Sequence, residues 1–437
     1  MFCSNSSVVF SPNLTRINGW VDQPDTRGTI DIIWTNVFAV FICTFTLLCL
    51  NIPAANDTPW KITSRRLFWM GLAIAGPEFL LTAACGQLST AQESVKAFYE
   101  LGYTQWTVRH GFFADMGGFL FVPRDSEPFP ITSKHLHWLI SRRYLPFPDI
   151  TSKEIWDKSK QDTVAKLISC FQVGYLMIQC LGRAGQHLAI TTLELSALAI
   201  VVCSIMTNIC WLRKPVGVMT PIRLHSEMSM EEILKDAAAV DRLWKQTPLD
   251  FVDDLGPSWA LNVQPFMNMP VSPHERPMPR FGNDRLPNMN GGHETLLCLA
   301  TLAYAAIHLA GWNFTFPTHV ERVLWRASSM FIFGNTVVFW ICETAAAWHR
   351  KGRWQRFFYR IFDPSKTEEV EFARQLSSSQ QEPKQLPLAW EFWSITPLAI
   401  IYAAARVYLI VEAFMGLRSL EPSAYLNVNW SNWIPHI

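Results

Sequence analysis

The sequence is poor in charged residues. Asp, Glu, Lys and Arg make up 17% of its 437 residues, against roughly 25% in an average soluble protein. The 37 basic and 36 acidic residues nearly cancel, so the chain lacks the basic field that nucleic-acid-binding proteins carry. The composition therefore gives no reason to expect a nucleic-acid partner.

The sequence also lacks the short motifs of common cofactor and hydrolase chemistry. It has no Walker A motif, which argues against an ATP-driven pump, and no HExxH, GxSxG or Rossmann glycine pattern. Its ten cysteines form no CxxC pair, and all except Cys3 lie in or beside apolar runs, as small buried hydrophobic residues do. We therefore expect no metal site, no cofactor and no disulfide framework.

Long apolar runs dominate the sequence instead. A bilayer span needs about 20 mainly apolar residues, and seven runs approach or exceed that length: 30–50, 67–85, 164–181, 188–212, 294–312, 324–348 and 392–417. The chain also lacks a cleavable signal peptide, because no basic stretch is followed at once by an apolar one. We predict an all-α polytopic membrane bundle with about eight (seven or eight) spans and long polar loops.

The basic residues help to orient the spans. They cluster at 61–66, 213–214 and 349–360, and short basic flanks prefer the cytoplasm. Seven crossings cannot put all three clusters on one side, whereas an additional crossing between residues 86 and 162 can. The best candidate is 106–122, a short apolar run for which a re-entrant element is the alternative.

The predicted topology divides the chain into five parts. These are a lumenal segment 1–29, a first membrane half 30–212, a cytoplasmic loop 213–293, a second membrane half 294–417 with a cytoplasmic loop 349–391, and a lumenal tail 418–437. Four glycosylation sequons then face the lumen, at Asn5, Asn13, Asn313 and Asn429. The sequon at Asn56 faces the cytoplasm.

Glu78 is the clearest candidate for a functional residue. A carboxyl group at bilayer depth is costly, so it usually faces the bundle interior and marks a site. Pro77 precedes it and removes a helix hydrogen bond, which frees a carbonyl nearby. A carboxyl group that stays protonated in apolar surroundings can act as a general acid. A carboxyl hydrogen-bonded to a neighbouring helix for packing is the equally favoured alternative.

A second candidate constellation joins His110 and Asp115, which can relay a proton if the fold brings them together. They are five residues apart and do not share a helix face, and a surface loop is the alternative. Glu343 lies in the sixth apolar run. Glu194 fits a capping box with Thr191, which favours a structural role.

Three further polar residues lie in the last two thirds of the chain. Arg406 and Glu412 share the last span, nearly two turns apart, so a bridge through a third group and a functional site are both open. His308 stands alone on an apolar face. A hydrogen-bonded core histidine is favoured there over a role in proton handling.

The sequence is rich in aromatic residues, with 19 Trp and 29 Phe. Most fit belts at the membrane interfaces. Others could line an apolar cavity, where aromatic faces stabilise cations. The candidates for such a substrate-binding surface are Trp34, Trp69, Phe79, Trp340 and Tyr402.

Four segments of the chain resemble those of a group of fungal multi-pass membrane proteins. They are Pro77-Glu-Phe, Phe112-Phe-Ala-Asp115-Met-Gly-Gly-Phe, Glu154-Ile-Trp-Asp-Lys-Ser-Lys160 and Ile190-Thr-Thr-Leu-Glu-Leu. The group includes the membrane-bound terpene cyclase of ascochlorin biosynthesis, and the resemblance runs from about Thr26 to the last span.

The resemblance implies cyclisation of a prenyl chain on a lipophilic meroterpenoid, at the endoplasmic reticulum membrane. A buried acid would protonate a terminal epoxide or alkene, and no metal is needed because no diphosphate leaves. With the residues above, this gives the hypothesis that Glu78 donates the proton and that Asp115, His110 and Glu343 assist. A proton-coupled transporter and a receptor or scaffold remain as alternatives.

Overall fold

A computed structural model describes residues 15–22, 27–46, 48–159, 163–240, 247–252, 277–283, 289, 291–350 and 389–430, with only the backbone at some helix positions beside the gaps. The described chain is mostly helical, as predicted. Its α-helices are α1 Thr29–Thr46, α2 Pro59–Ala75, α3 Pro77–Glu100, α4 Val108–Asp115, α5 Ser133–Ser141, α6 Ser152–Asp157, α7 Thr163–Gly185, α8 Thr192–Cys210, α9 Met230–Asp236, α10 Gly291–Leu309, α11 His319–Arg350 and α12 Ala389–Met415.

Four described segments are long and apolar enough to cross a membrane. They are Thr29–Thr46, Thr192–Cys210, Gly292–Asn313 and Thr396–Arg418. A fifth qualifies if α2 and α3 are taken together, although the two helices are bent by 110° at their junction. The predicted runs 164–181 and 324–348 lie inside α7 and α11. The described residues therefore contain four or five candidate spans by this test, and the predicted count of eight is not confirmed.

The prediction of an all-helical chain was incomplete, because the described residues include short strands. These are β1 Ile17–Asn18, β2 Phe119–Val122, β3 Phe129–Ile131, β4 Ile222–His225 and β5 Ser419–Leu420. Strand β2 lies between β3, its antiparallel neighbour, and β4, which is parallel to it. Strands β1 and β5 form a separate antiparallel pair.

The run 106–122 is not the additional crossing that we predicted. It forms the eight-residue helix α4 and then strand β2, and eight helical residues extend only about 12 Å. A tight turn separates the two, because Gly117 has a φ of +87° and a Cβ on Gly118 would lie 2.3 Å from the carbonyl oxygen of Phe113. The aromatic residues that made this run look apolar are core residues of an aromatic unit.

This aromatic unit is built from the end of α3, helices α4, α5 and α9, and the three-stranded sheet. Trp106 stacks on Phe98 with ring centroids 4.1 Å apart, and Phe147 and Phe119 flank the pair. Residues of the predicted loop 213–293 thus fold together with residues of the predicted loop 86–162. The other predicted loop, 349–391, lies outside the described residues except at its edges.

The helices have two distinguishable ends, which we call the sheet end and the terminal end. At the terminal end, β1 pairs with β5, and the buried guanidinium of Arg183 donates to the carbonyl oxygens of Ala189, Ser423, Ala424 and Leu426. Glu194 lies beside it and accepts a hydrogen bond of 2.5 Å from Arg27. Its other oxygen caps α8 through Thr191, so the predicted structural role of Glu194 agrees with its contacts.

Helices α2 and α3 form a hairpin whose two feet lie at the sheet end. Before α2 begins, Asp57 accepts a hydrogen bond from Arg65, and the next residue, Arg66, donates to the carbonyl oxygen of Phe45 at the end of α1. The last turn of α3 places Phe98 in the aromatic unit. The predicted continuous span 67–85 is therefore broken at its middle, where Gly76 and Pro77 interrupt the helix.

Lys214 is a buried cation that joins α3 to the segments that follow α1 and α8. Its side chain is buried, and its Nζ donates to the carbonyl oxygen of Cys49 at 2.7 Å and to Oε1 of Gln87 at 2.8 Å. The ammonium also lies 4.9 Å from the ring centroid of Trp211. Burial lowers the pKa of Lys214 from 10.5 to about 8, against the opposing influence of Cys49 and Asp115.

This lowered pKa predicts a pH dependence of stability. Above about pH 8 the folded chain releases the Lys214 proton while the unfolded chain keeps it up to about pH 10.5, so the free energy of unfolding rises between these values. We expect a gain of at most about 1.4 kcal/mol per pH unit, measured as thermal unfolding midpoints in detergent from pH 7 to 10.5.

Replacement of the lysine isolates this effect. Lys214→Met should lose the rise with pH, whereas Lys61→Met, at an exposed lysine of α2, should retain it. An identical pH profile for the wild type and Lys214→Met would refute the assignment.

Candidate functional site

A cluster of polar side chains lies inside the bundle at the tip of the α2–α3 hairpin. We call it the central polar cluster and define it as Glu78, Tyr304, His308, Tyr402 and Arg406. Its members come from α3, α10 and α12. At 1.5 Å per helical residue, Arg406 lies about 15 Å along the helix from the C-terminal end of α12.

The broken helix positions Glu78 in this cluster. Pro77 has no N–H group and occupies the first turn of α3, where none is needed, so α3 starts afresh after the break. Glu78 follows in the same turn, where the N-terminal dipole of a helix favours a negative charge.

Gly76 forms the corner of the hairpin because no larger residue fits there. A Cβ at this position would lie 2.6 Å from the ring of Phe79 and 3.2 Å from Oε1 of Glu78. The ring of Phe79, one of the predicted substrate-binding residues, therefore packs directly on the corner.

One carboxyl oxygen of Glu78 has a hydrogen-bond partner among the described residues, and the other has none. Its Oε1 accepts a hydrogen bond of 2.6 Å from the hydroxyl of Tyr402. Its Oε2 is buried and has no hydrogen-bond partner among the described residues. A buried polar atom without a partner is costly, and this oxygen shares that state with the hydroxyl of Tyr304 and Nδ1 of His308. Of the three, Oε2 of Glu78 belongs to a carboxyl group, which can carry a proton for transfer.

Arg406 ties α12 to the other side of the break. Its Nε donates to the carbonyl oxygen of Ala75 at 3.1 Å, one of the carbonyls left exposed where α2 ends. Its guanidinium also lies 5.2 Å from the ring centroid of Tyr304 and interacts electrostatically with Glu78 and Tyr402. A buried positive charge is tolerated when it is compensated in this way.

His308 completes the cluster as a hydrogen-bond acceptor. The Arg406 guanidinium approaches Nε2 of His308 to 3.0 Å, and an arginine can only donate. Nε2 must therefore be unprotonated, so His308 is neutral with its proton on Nδ1. The sequence favoured a hydrogen-bonded core histidine. The structure gives Nε2 a partner that was not foreseen, whereas Nδ1 is buried without a hydrogen-bond partner among the described residues.

The predicted aromatic residues are divided among different environments. Trp69 is buried among apolar residues of the bundle, and the indole of Trp340 donates to Thr301 at 2.8 Å. Trp34 instead is 64% exposed on the outer face of α1. Of the five predicted substrate-binding residues, Tyr402 and Phe79 lie at Glu78 and Trp34 does not.

The structure does not bring His110 or Asp115 to Glu78. Helix α4 crosses α3 near Ala91, against which Gly111 packs, about 20 Å along α3 from Glu78. Nδ1 of His110 accepts from the backbone N–H of Thr107, and Nε2 donates to the carbonyl oxygen of Ile150. Burial lowers the pKa of His110, and both ring nitrogens serve the local fold.

The remaining predicted acids also lie apart from Glu78. Oδ1 of Asp115 accepts from the backbone N–H of Ser133, at the start of α5. Glu343 follows Trp340 by about one turn, and the indole of Trp340 donates to Thr301 of α10, seven residues along that helix from His308. Glu412 does not bridge to Arg406, and its Oε2 is bonded to the hydroxyl of Tyr408 instead.

Sequence reasoning missed Tyr304 as a member of the cluster, yet a signal was present. Tyr304 and His308 are four residues apart, as are Tyr402 and Arg406, so each pair shares a helix face. Two polar pairs at this spacing in otherwise apolar helices indicate facing surfaces.

A cavity of about 200 Å³ lies at the terminal end of the bundle. It is lined by residues 188–192 and 313–316 and by Gly416, Leu420, Glu421 and Ala424, and not by the central polar cluster. The described residues contain no group of three or more His, Cys, Asp or Glu side chains that could hold a metal ion.

Comparison with known proteins places the chain in a family. It belongs to a family of unknown function (DUF8562), whose sequence profile matches residues 4–243 and 286–437. No curated protein matches the chain, and no solved structure does.

The close contact at the hairpin corner predicts the effect of one substitution. Gly76→Ala should displace Phe79 or Glu78 and destabilise the chain by about 1–3 kcal/mol, as overpacking does. Gly71→Ala, on the same helix with nothing near its added Cβ, should be neutral or slightly stabilising. Thermal unfolding in detergent measures both, and equal midpoints for the two variants would contradict the packing at Gly76.

Proposed function

We propose that the chain is a membrane-bound terpene cyclase that protonates the epoxide or terminal alkene of a prenylated lipophilic substrate. The observation that carries this proposal is the buried Oε2 of Glu78, which has no hydrogen-bond partner among the described residues. A proton held there is available to a substrate, because the hydroxyl of Tyr402 already occupies Oε1.

The neighbours of Glu78 suit a general acid. After Oε2 transfers its proton to an epoxide oxygen, the carboxylate that remains keeps the Tyr402 hydrogen bond and the electrostatic interaction with Arg406. Stabilising the product of proton transfer in this way favours the transfer. As the epoxide C–O bond breaks, the electrons of an internal double bond form the new C–C bond.

The reaction ends when the cyclised cation loses a proton. The Glu78 carboxylate is the nearest base in the central polar cluster, and taking that proton restores its starting state. The net change is an isomerisation that needs no metal and no diphosphate. Aromatic rings near the acid, such as that of Phe79, would stabilise the intermediate cation.

The positions of the helix ends support a membrane topology with fewer crossings than the eight that the sequence suggested. In this proposal α1, α7, α8, α10, α11 and α12 cross the bilayer, and the α2–α3 hairpin enters and leaves at the sheet end. An even number of crossings brings both terminal segments to one side, consistent with the pairing of β1 with β5. The basic clusters at 61–66 and 213–214 and the start of the third then share the sheet end, which we assign to the cytoplasm.

This topology predicts which positions face the lumen. In sealed microsomes, Asn56→Cys should react with a membrane-impermeant maleimide, because residue 56 lies at the sheet end. Asn313→Cys, in an exposed position at the terminal end, should react only after the membrane is permeabilised. The reverse pattern would overturn the orientation. The proposed glycosylation at Asn313 and Asn429 requires the same sidedness, whereas Asn5 and Asn13 lie outside the described residues.

The cyclase proposal predicts that Glu78→Gln abolishes product formation. We expect a loss of at least about 10³-fold, because a glutamine cannot donate a proton to the substrate. Microsomes containing the variant would be fed an epoxidised farnesyl-arene, with products identified by mass and NMR. Tyr402→Phe should reduce the rate by about 10²-fold through loss of one donor to the carboxylate.

A matched control lies on the same helix. Glu93→Gln changes an acid of α3 outside the cluster and should leave product yield unchanged. Full yield from Glu78→Gln, with membrane insertion as in the wild type, would eliminate the proposed acid.

A proton-coupled transporter is the second candidate. The observation that favours it is the set of hydrogen bonds that links residues of three helices inside the bundle, since buried ionisable groups also serve proton relays. Proton uptake by proteoliposomes on addition of a substrate that is recovered unchanged would favour transport over cyclisation.

A further inference from the structure

A pair of buried cysteines lies two turns below Glu78. The Sγ atoms of Cys85, on α3, and Cys210, on α8, are 3.4 Å apart. Both side chains are buried, and the central polar cluster uses neither of them. Both residues are free cysteines in the structure.

The packing of α3 on α8 explains why these two sulfur atoms meet. The two helices run in the same direction and pack along each other. Glu78 interacts electrostatically with Cys203, and seven residues further along each helix Cys85 meets Cys210. A seven-residue step returns to nearly the same helix face, so the second contact follows from the first.

We propose that Cys85 and Cys210 form a reversible disulfide that fixes the α3 arm of the hairpin to α8. A disulfide has an S–S length of about 2.05 Å, so the sulfur atoms must approach by roughly 1.4 Å. The bond forms when two thiols lose two protons and two electrons to a small oxidant, such as a low-molecular-weight disulfide or a diazene. The diazene takes up the two protons and the two electrons and becomes a hydrazine.

The burial of the pair restricts which reagents can reach it. Cys210 is the last residue of α8, next to the buried Trp211. A protein oxidant cannot contact the buried sulfur atoms, so the reagent must be a small membrane-permeant oxidant. Reduction by a small thiol reopens the bond by thiol–disulfide exchange.

The test uses the full chain in membranes. Microsomes are treated with the permeant diazene diamide, remaining thiols are blocked with N-ethylmaleimide, and the unreduced protein is digested with trypsin. Peptide 67–96 contains only Cys85, and peptide 184–213 contains Cys203 and Cys210. We expect these two peptides to be linked at least tenfold more often than any other cysteine pair, and dithiothreitol to separate them.

Three variants identify the bonded atoms. The linked peptide should disappear in Cys85→Ser and in Cys210→Ser, and it should persist in Cys203→Ser, which removes the other cysteine of the same peptide. Protein unfolded in SDS before oxidation should lose the preference for this pair. Linkage through Cys203, or an equal yield from folded and unfolded chains, would overturn the proposal, as would the absence of the linked peptide in folded wild type.

Discussion

The arrangement of the helical bundle depends on how α12 holds the break between α2 and α3. A helix end inside an apolar bundle leaves carbonyl groups without partners, and Arg406 supplies one through its bond to Ala75. One turn away on the same face, Tyr402 binds the first acid of the new helix. The two contacts stabilise a corner that would otherwise be too polar for its surroundings, and in doing so they place Glu78 where its second oxygen stays open.

The cost of this corner explains the composition of the cluster. A guanidinium without partners would be expensive to bury, and a neutral histidine and two tyrosines surround it together with the acid. The hydroxyl of Tyr402 is hydrogen-bonded to Glu78 and Arg406 lies in the same cluster, which differs from the purely apolar surroundings that the sequence suggested for the acid. An acid whose conjugate base is stabilised in this manner is better suited to protonating a weak base than one that is only desolvated.

Much of the architecture could be predicted from the sequence, and the failures have physical causes. Long apolar runs identified the bundle helices, and Pro77 identified the break beside Glu78. The run 106–122 was misread because a core of aromatic residues and a membrane span have similar composition, and only Gly117 and Gly118 mark the turn. Because the α2–α3 region was counted as one full crossing, an additional crossing was needed to keep the basic clusters on one side of the membrane. The partners of Glu78 could not be read from the chain, because Tyr402 lies more than three hundred residues away.

The joining of distant segments at the terminal end has a consequence for biosynthesis. Residues near the junction of α7 and α8 form hydrogen bonds with carbonyl groups of residues 423–426. The ribosome releases residues 423–426 only after it has released all of the bundle helices. Until then Arg183 has only Ala189 and Glu194 as partners, and β1 has no strand beside it. The helices that are made first therefore lack these contacts until translation reaches residues 423–426. A chain that stops before its last helix would leave the Arg183 guanidinium without three of its carbonyl partners.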